Sequence, residues 1–133
     1  MANESFTSIL LKLKERGFFK DLIIKRGIEK EFFRVDKKGF ISNSPHPASL
    51  GSALTNKFIT TDFSEAQLEL VTPVFEDIND LNDFLYSLHV FVGKNISEDE
   101  LLWPYSMPPK IEKESDINLG YYHHSNIGLL KHV

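Results

Sequence analysis

The chain has 133 residues, 41% of them hydrophobic and 26% charged, with a formal net charge of −4 and no cysteine. That size and composition suit one soluble globular domain. The acidic balance argues against a nucleic-acid surface, and the absence of thiols excludes disulfides and thiolate metal sites.

In chain order, Phe6, Ile9, Leu10 and Leu13 recur at helical spacing between a capping Ser5 and a terminating Gly17. This predicts a packing helix over residues 5–16. Its apolar cluster is broken by Lys12 and preceded by Glu4, unlike a secretory signal. No apolar run approaches the roughly 18 residues of a membrane span. The expected location is cytoplasmic, with no membrane partner.

Residues 21–36 predict a strand region. Its centre is Arg26-Gly27-Ile28-Glu29-Lys30-Glu31-Phe32-Phe33-Arg34-Val35, rich in residues that favour a pleated surface. On a strand Glu29 and Glu31 project to one face, roughly 6.6 Å apart. Like charges there repel unless a cation lies between them. A hard divalent ion is one solution. A solvated polar face balanced by Lys25, Lys30 and Arg34 is the other, and the commoner one on spacing alone.

Asp36-Lys37-Lys38-Gly39 predicts a turn, with Phe40-Ile41-Ser42 returning as the second arm of a hairpin. His46, between Pro45 and Pro47, has no partner at metal-site spacing and reads as a hydrogen-bonding or surface residue. Leu50 to Leu54 is rich in small residues. Phe58 to Thr61 predicts a short strand, Asp62 to Glu65 a turn, and Gln67 to Thr72 a strand stopped by Pro73. On the last strand Glu69 points away from Leu68 and Leu70.

Residues 77–92 carry the strongest helical stripe, Ile78, Leu81, Leu85, Leu88 and Val92, capped by Asp77 and closed by Gly93. Beyond Lys94 the chain reads as irregular, with a solvated acidic stretch from Ser97 to Glu100. The aromatics of Trp103-Pro104-Tyr105-Ser106-Met107-Pro108-Pro109 are expected to pin a loop to the core. The adjacent His123 and His124 point apart on a strand and make a poor chelate. No repeat or Gly-rich phosphate loop is present.

Four stretches in order, RGIEKEFFRVD, HPASLGSALTNKFITTDFSEAQLELVTPV, WPYSMPP and SNIG, resemble the amino-terminal part of bacterial glutamate–cysteine ligases. The resemblance runs from about Gly27 to the last residue. It implies ATP-dependent ligation of the glutamate γ-carboxylate to the cysteine amine through an acyl phosphate, the first step of glutathione synthesis. Glutamate, cysteine and ATP are then the implied small-molecule partners, with Mg²⁺ as the cofactor. Glu29, Glu31, Asp62 and Glu69 match acidic positions of the family's motifs and are the implied metal ligands. Phe63 matches a position that walls the cysteine pocket, Glu65 reads as a surface acid, and no residue receives a catalytic role.

The expected fold is α+β, an antiparallel sheet bearing the clustered acids with helices on its apolar side, as part of a larger ligase fold. Residues 1–133 are expected to form one incomplete piece of the catalytic domain, inactive alone. Such a piece would self-associate or pair with a missing carboxy-terminal portion. Two alternatives remain: a non-catalytic remnant or interaction module keeping part of a cation site, and another ATP-dependent carboxylate–amine ligase.

Overall fold

A computed structural model describes residues 5–120, so the Tyr121–His124 and SNIG segments lie outside the described residues. The first element, α1 (Phe6–Glu15), starts where Ser5 Oγ accepts the Ser8 amide proton, and the chain leaves it through Gly17 at φ 73°. A left-handed residue is cheapest as glycine, which has no Cβ to clash. The helix boundaries match expectation, but its packing role does not. None of its residues is buried, and Phe6, Ile9, Leu10 and Leu11 are all exposed.

Four strands form one antiparallel sheet in the order β2-β3-β1-β4. They are β1 (Glu29–Asp36), β2 (Ile59–Thr61), β3 (Gln67–Val71) and β4 (Glu100–Leu102). The predicted first strand is therefore shorter than expected at its amino end. Before Glu29, Ile28 O accepts the Thr72 amide proton and Arg26 forms an isolated bridge with Phe75, while Ile23 and Ile24 remain exposed. A strand that finds no partner gains no ladder hydrogen bonds, whatever its side-chain propensity.

The turn after β1 forms as predicted. Asp36 accepts the amide protons of Phe40 (2.9 Å) and Lys38 (2.8 Å), and Gly39 takes φ 84°. The Phe40 amide, more than any other group, holds the Asp36 carboxyl below the usual carboxylate range. The return arm is only a single bridge between Val35 and Ile41.

The β1–β3 register pairs Glu29 with Val71, Glu31 with Glu69 and Phe33 with Gln67. On β2, Ile59 faces Leu70, Thr60 faces Glu69 and Thr61 faces Leu68. Alternation does the sorting. Phe32, Leu68, Leu70 and Ile59 go to one face, where they meet Leu50, Leu88 and Val92 in the core. Glu29, Glu31, Gln67, Glu69 and Thr60 go to the other.

The core face is covered by α2 (Ile78–Asn95), capped where Asp77 accepts the Asn79 amide proton at 2.7 Å. Leu81, Leu88 and Val92 are buried, and Phe84 and Leu85 pack beside them. Gly93 does not end the helix. Ile96 packs against the core and donates its amide proton to Val92 O, so burial rewards one more half-turn.

The segment after α2 is less irregular than expected. β4 pairs Arg34 with Leu102 and Asp36 with Glu100, and the Trp103 amide donates to Phe33 O at 2.8 Å. Glu100 is consequently buried rather than solvated. The aromatics that follow pack on one another more than on the core. Trp103 and Tyr105 meet edge to face at 5.0 Å, Trp103 Nε1 donates to Met107 O, and Tyr105 stays exposed.

Candidate functional site: an acidic sheet face

Strand phase and ladder geometry set the site. Thr72 donates its amide proton to Ile28 O, and Arg34 donates its own to Ala66 O. These fix the alternation along β1 and β3, so Glu31 and Glu69 form a non-hydrogen-bonded pair. Such pairs bring Cα atoms to about 4.5 Å and hold side chains closest. Two carboxylates are thus set directly opposite each other. Glu29 lies one step along the same face, diagonal to Glu69, a relation that puts the two residues roughly 7–8 Å apart, with their Cβ atoms somewhat closer.

Asp62 extends the β2 register, its amide donating to Gln67 O, in phase with Thr60. It is therefore diagonal to Glu69 on the side away from β1. Phe63 follows it, 59% exposed, and its carbonyl accepts the Gly120 amide proton. Gln67 Nε2 donates to Glu31 Oε2 at 2.8 Å, orienting that carboxylate.

All four predicted acids thus belong to one side of the sheet. Among the described residues, however, no three His, Asp or Glu side chains converge closely enough to form a metal-holding group. The cations suggested to balance the acids sit elsewhere. Lys30 and Arg34 occupy the opposite phase of β1, and Lys25 Nζ lies 3.4 Å from Glu76 Oε1.

Arg34 is the largest departure from the sequence reading. It is fully buried. Its Nη1 donates to Glu100 Oε1 at 2.6 Å, and Nη2 donates to Ser44 O (2.7 Å), Glu65 O (2.9 Å) and Pro45 O (3.0 Å). The Ser42 hydroxyl shares Glu100 Oε1. Glu65, expected at the surface, is buried, and its carboxylate accepts the His46 amide proton.

The imidazole of His46 bridges Gly51 O (3.1 Å) and Thr61 Oγ1 (2.7 Å). A ring nitrogen facing a carbonyl must carry the proton, so Nε2 donates and Nδ1 accepts from the hydroxyl. Burial lowers the His46 pKa, against a partial upward pull from Glu65. Sequence reasoning missed Glu100 and Glu65. The apolar Leu101-Leu102-Trp103 run was the one available signal that Glu100 starts a strand.

One sheet face thus carries an opposed pair of carboxylates, and the other phase of β1 carries the buried Arg34–Glu100 ion pair. Comparisons with known proteins give the family. The family model for glutamate-cysteine ligase matches residues 10–133. A glutamate–cysteine ligase of Hahella chejuensis is 47% identical over 131 residues, 98% of this chain and 25% of the relative. One from Yersinia pseudotuberculosis is 50% identical over 108 residues, 81% of this chain and 21% of the relative.

Among solved structures, the Francisella tularensis glutamate–cysteine ligase in complex with AMP matches at TM-score 0.76 and 40% identity, covering 80% of this chain and 21% of that one. A bifunctional glutathione synthetase from Pasteurella multocida matches at TM-score 0.67 and 39% identity, covering 70% of this chain and 13% of that one. The chain belongs to the glutamate–cysteine ligase family. It spans about a fifth to a quarter of the length of the curated relatives it matches. No helix among the described residues is long and apolar enough to cross a membrane.

Proposed function

We propose that this chain supplies the amino-terminal, cation-seating part of an ATP-dependent glutamate–cysteine ligase acting in glutathione biosynthesis in the cytoplasm. The observation that carries the reading is the Glu31–Glu69 pair, opposed across β1 and β3 with Glu29 in phase beside it. Like charges opposed in this way repel, and a cation seated between them would offset that repulsion.

The donor set fits Mg²⁺. Glu29, Glu31, Glu69 and Asp62 present hard carboxylate oxygens only, and Mg²⁺ is typically held by one or two carboxylates together with phosphate oxygens and water. Bound there, Mg²⁺ would screen the negative charge of ATP phosphates and help align them. The chain's own part is to hold those carboxylates on a rigid ladder and to orient Glu31 through Gln67. Phe63, exposed beside Asp62, gives an apolar surface suited to one wall of a cysteine pocket. The ligation itself moves the ATP γ-phosphoryl to the glutamate γ-carboxylate, and the cysteine amine then displaces phosphate from the acyl phosphate.

The chain alone is expected to be inactive, because orienting the amine can contribute on the order of 7–11 kcal/mol of barrier lowering and the described residues carry no basic phosphate cradle. The exposed Phe6, Phe18 and Ile23 favour self-association or docking of a further ligase segment. The test measures ADP and γ-glutamylcysteine release by the chain alone and after mixing with the carboxy-terminal remainder of a relative. Turnover only on mixing supports the reading. Turnover by the chain alone contradicts the incompleteness argument, and none in either case favours a non-catalytic remnant.

A further inference from the structure

The turn that follows Asp62 and Phe63 is tied to buried groups. We propose that Arg34 is a positioning residue that locks the turn after β2, and with it Asp62 and Phe63, onto the acidic sheet. The proposal rests on the cation-seat reading, although Arg34 touches neither cation nor substrate.

Arg34 grips the turn twice. Its backbone amide donates to Ala66 O at 2.8 Å, and its Nη2 donates to Glu65 O at 2.9 Å. The same Nη2 reaches Ser44 O and Pro45 O, so one group ties the turn to the loop that carries His46. That loop closes the circuit. The His46 amide donates to the Glu65 carboxylate, and its ring holds Thr61 Oγ1. Asp62 and Phe63 therefore sit between two anchored points, Thr61 before them and Glu65 after.

Stability alone does not explain an arginine here. A buried ion pair is often no better for stability than well-packed apolar side chains. Arg34 Nε has no hydrogen-bond partner among the described residues, a further cost for a buried donor. What apolar packing cannot provide is directed donors. A planar fork reaches one carboxylate and three carbonyls, spread over three separate segments, at once. Lysine keeps the charge but lacks the fork.

The test uses the ¹⁵N-labelled 133-residue chain with Arg34→Lys, Glu100→Gln and Mn²⁺ as a paramagnetic probe. In Arg34→Lys the Glu65 and Gln67 amides, which donate to Asn118 O and Ser64 O, should exchange about tenfold faster or more, as in a local opening. Amides of Phe32, Leu68 and Leu70 should keep their protection. Mn²⁺ should still broaden the Glu29, Glu31 and Glu69 signals but should release those of Asp62 and Phe63. Glu100→Gln, which keeps an acceptor for Nη1, should show the same pattern more weakly and carries the test if Arg34→Lys does not fold. Unchanged exchange and broadening at residues 62–67 would overturn the proposal. So would uniform loss of protection across the sheet in both variants, since that is what a plain stability role produces. If wild-type signals show no Mn²⁺ broadening, the cation seat fails, and the exchange measurement still judges Arg34.

Discussion

Replacing Glu31 by glutamine should stabilise the chain without cations and should remove most of its response to them. The introduced amide would keep a side-chain oxygen to accept from Gln67 Nε2, so the substitution removes charge with little loss of hydrogen bonding. Glu31 and Glu69 form a directly opposed pair in the non-hydrogen-bonded register. Directly opposed side chains influence stability by roughly 0.2–1 kcal/mol, with like charges unfavourable. Glu31 is exposed, so solvent keeps the gain within that range. At a urea m-value of about 2 kcal/mol/M, the unfolding midpoint in EDTA should rise by about 0.1–0.5 M. Wild type should be stabilised by Mg²⁺, by about 1.4 kcal/mol at ten times the dissociation constant, and Glu31→Gln far less. Urea titrations followed by far-ultraviolet circular dichroism measure both. A lower midpoint for the variant in EDTA, or equal Mg²⁺ shifts in variant and wild type, would refute the account. Submicromolar Mg²⁺ affinity without nucleotide would also count against it, because phosphate oxygens and further ligands normally complete such shells.

Two other substitutions probe the scaffold. Leu68 is fully buried between Phe32, Ile59 and α2, so Leu68→Ala should cost about 2–5 kcal/mol by lost transfer energy plus cavity. A cost below about 1 kcal/mol in urea unfolding would mean the core is not packed as described. His46 has its pKa lowered from 6.5 by burial. The unfolded chain therefore binds a proton at higher pH than the folded one. The contribution of neutral His46 is fully present above pH 6.5 and is lost as pH falls through the lower folded value. His46→Gln should flatten that part of the stability–pH curve, and an unchanged slope below pH 6.5 would show that His46 does not cause it.

The sequence made one face of the sheet legible and hid the other. Alternation alone put Glu29 and Glu31 on one face and turned Glu69 away from Leu68 and Leu70, the family resemblance brought the three together, and the register sets Glu31 opposite Glu69 with Glu29 in phase. Phe32, Leu68 and Leu70 went to the core for the same reason. Periodicity also located α2 but stopped it at Gly93, because local propensity does not register the burial that rewards Ile96. Arg34 was misassigned as a counter-charge to the acids because a lone arginine gives no hint of partners that lie 10 to 66 residues away. Glu100 followed the same logic. Its three-residue strand is too short to show a period, and only its pairing to β1 makes it a strand. The α1 helix shows the converse failure: its stripe is real, yet no described element buries it.

The order of the strands also shapes how the chain is made. β1 is complete at Asp36, but its partner β3 ends only at Val71, about 35 residues later. At synthesis rates of about 5–20 residues per second, the Glu29–Phe33 part of a nascent β1 waits on the order of two to seven seconds for β3. Throughout that wait Phe32 and Phe33 sit on an open strand, the kind of segment that stacks with copies on adjacent ribosomes. Glu29, Lys30, Glu31 and Arg34 flank the pair. In a parallel in-register stack each charge would meet its own kind, and charges at such positions oppose edge-to-edge aggregation. Carboxylates that face each other across the finished sheet would, in such a stack, oppose the pairing of unfinished ones.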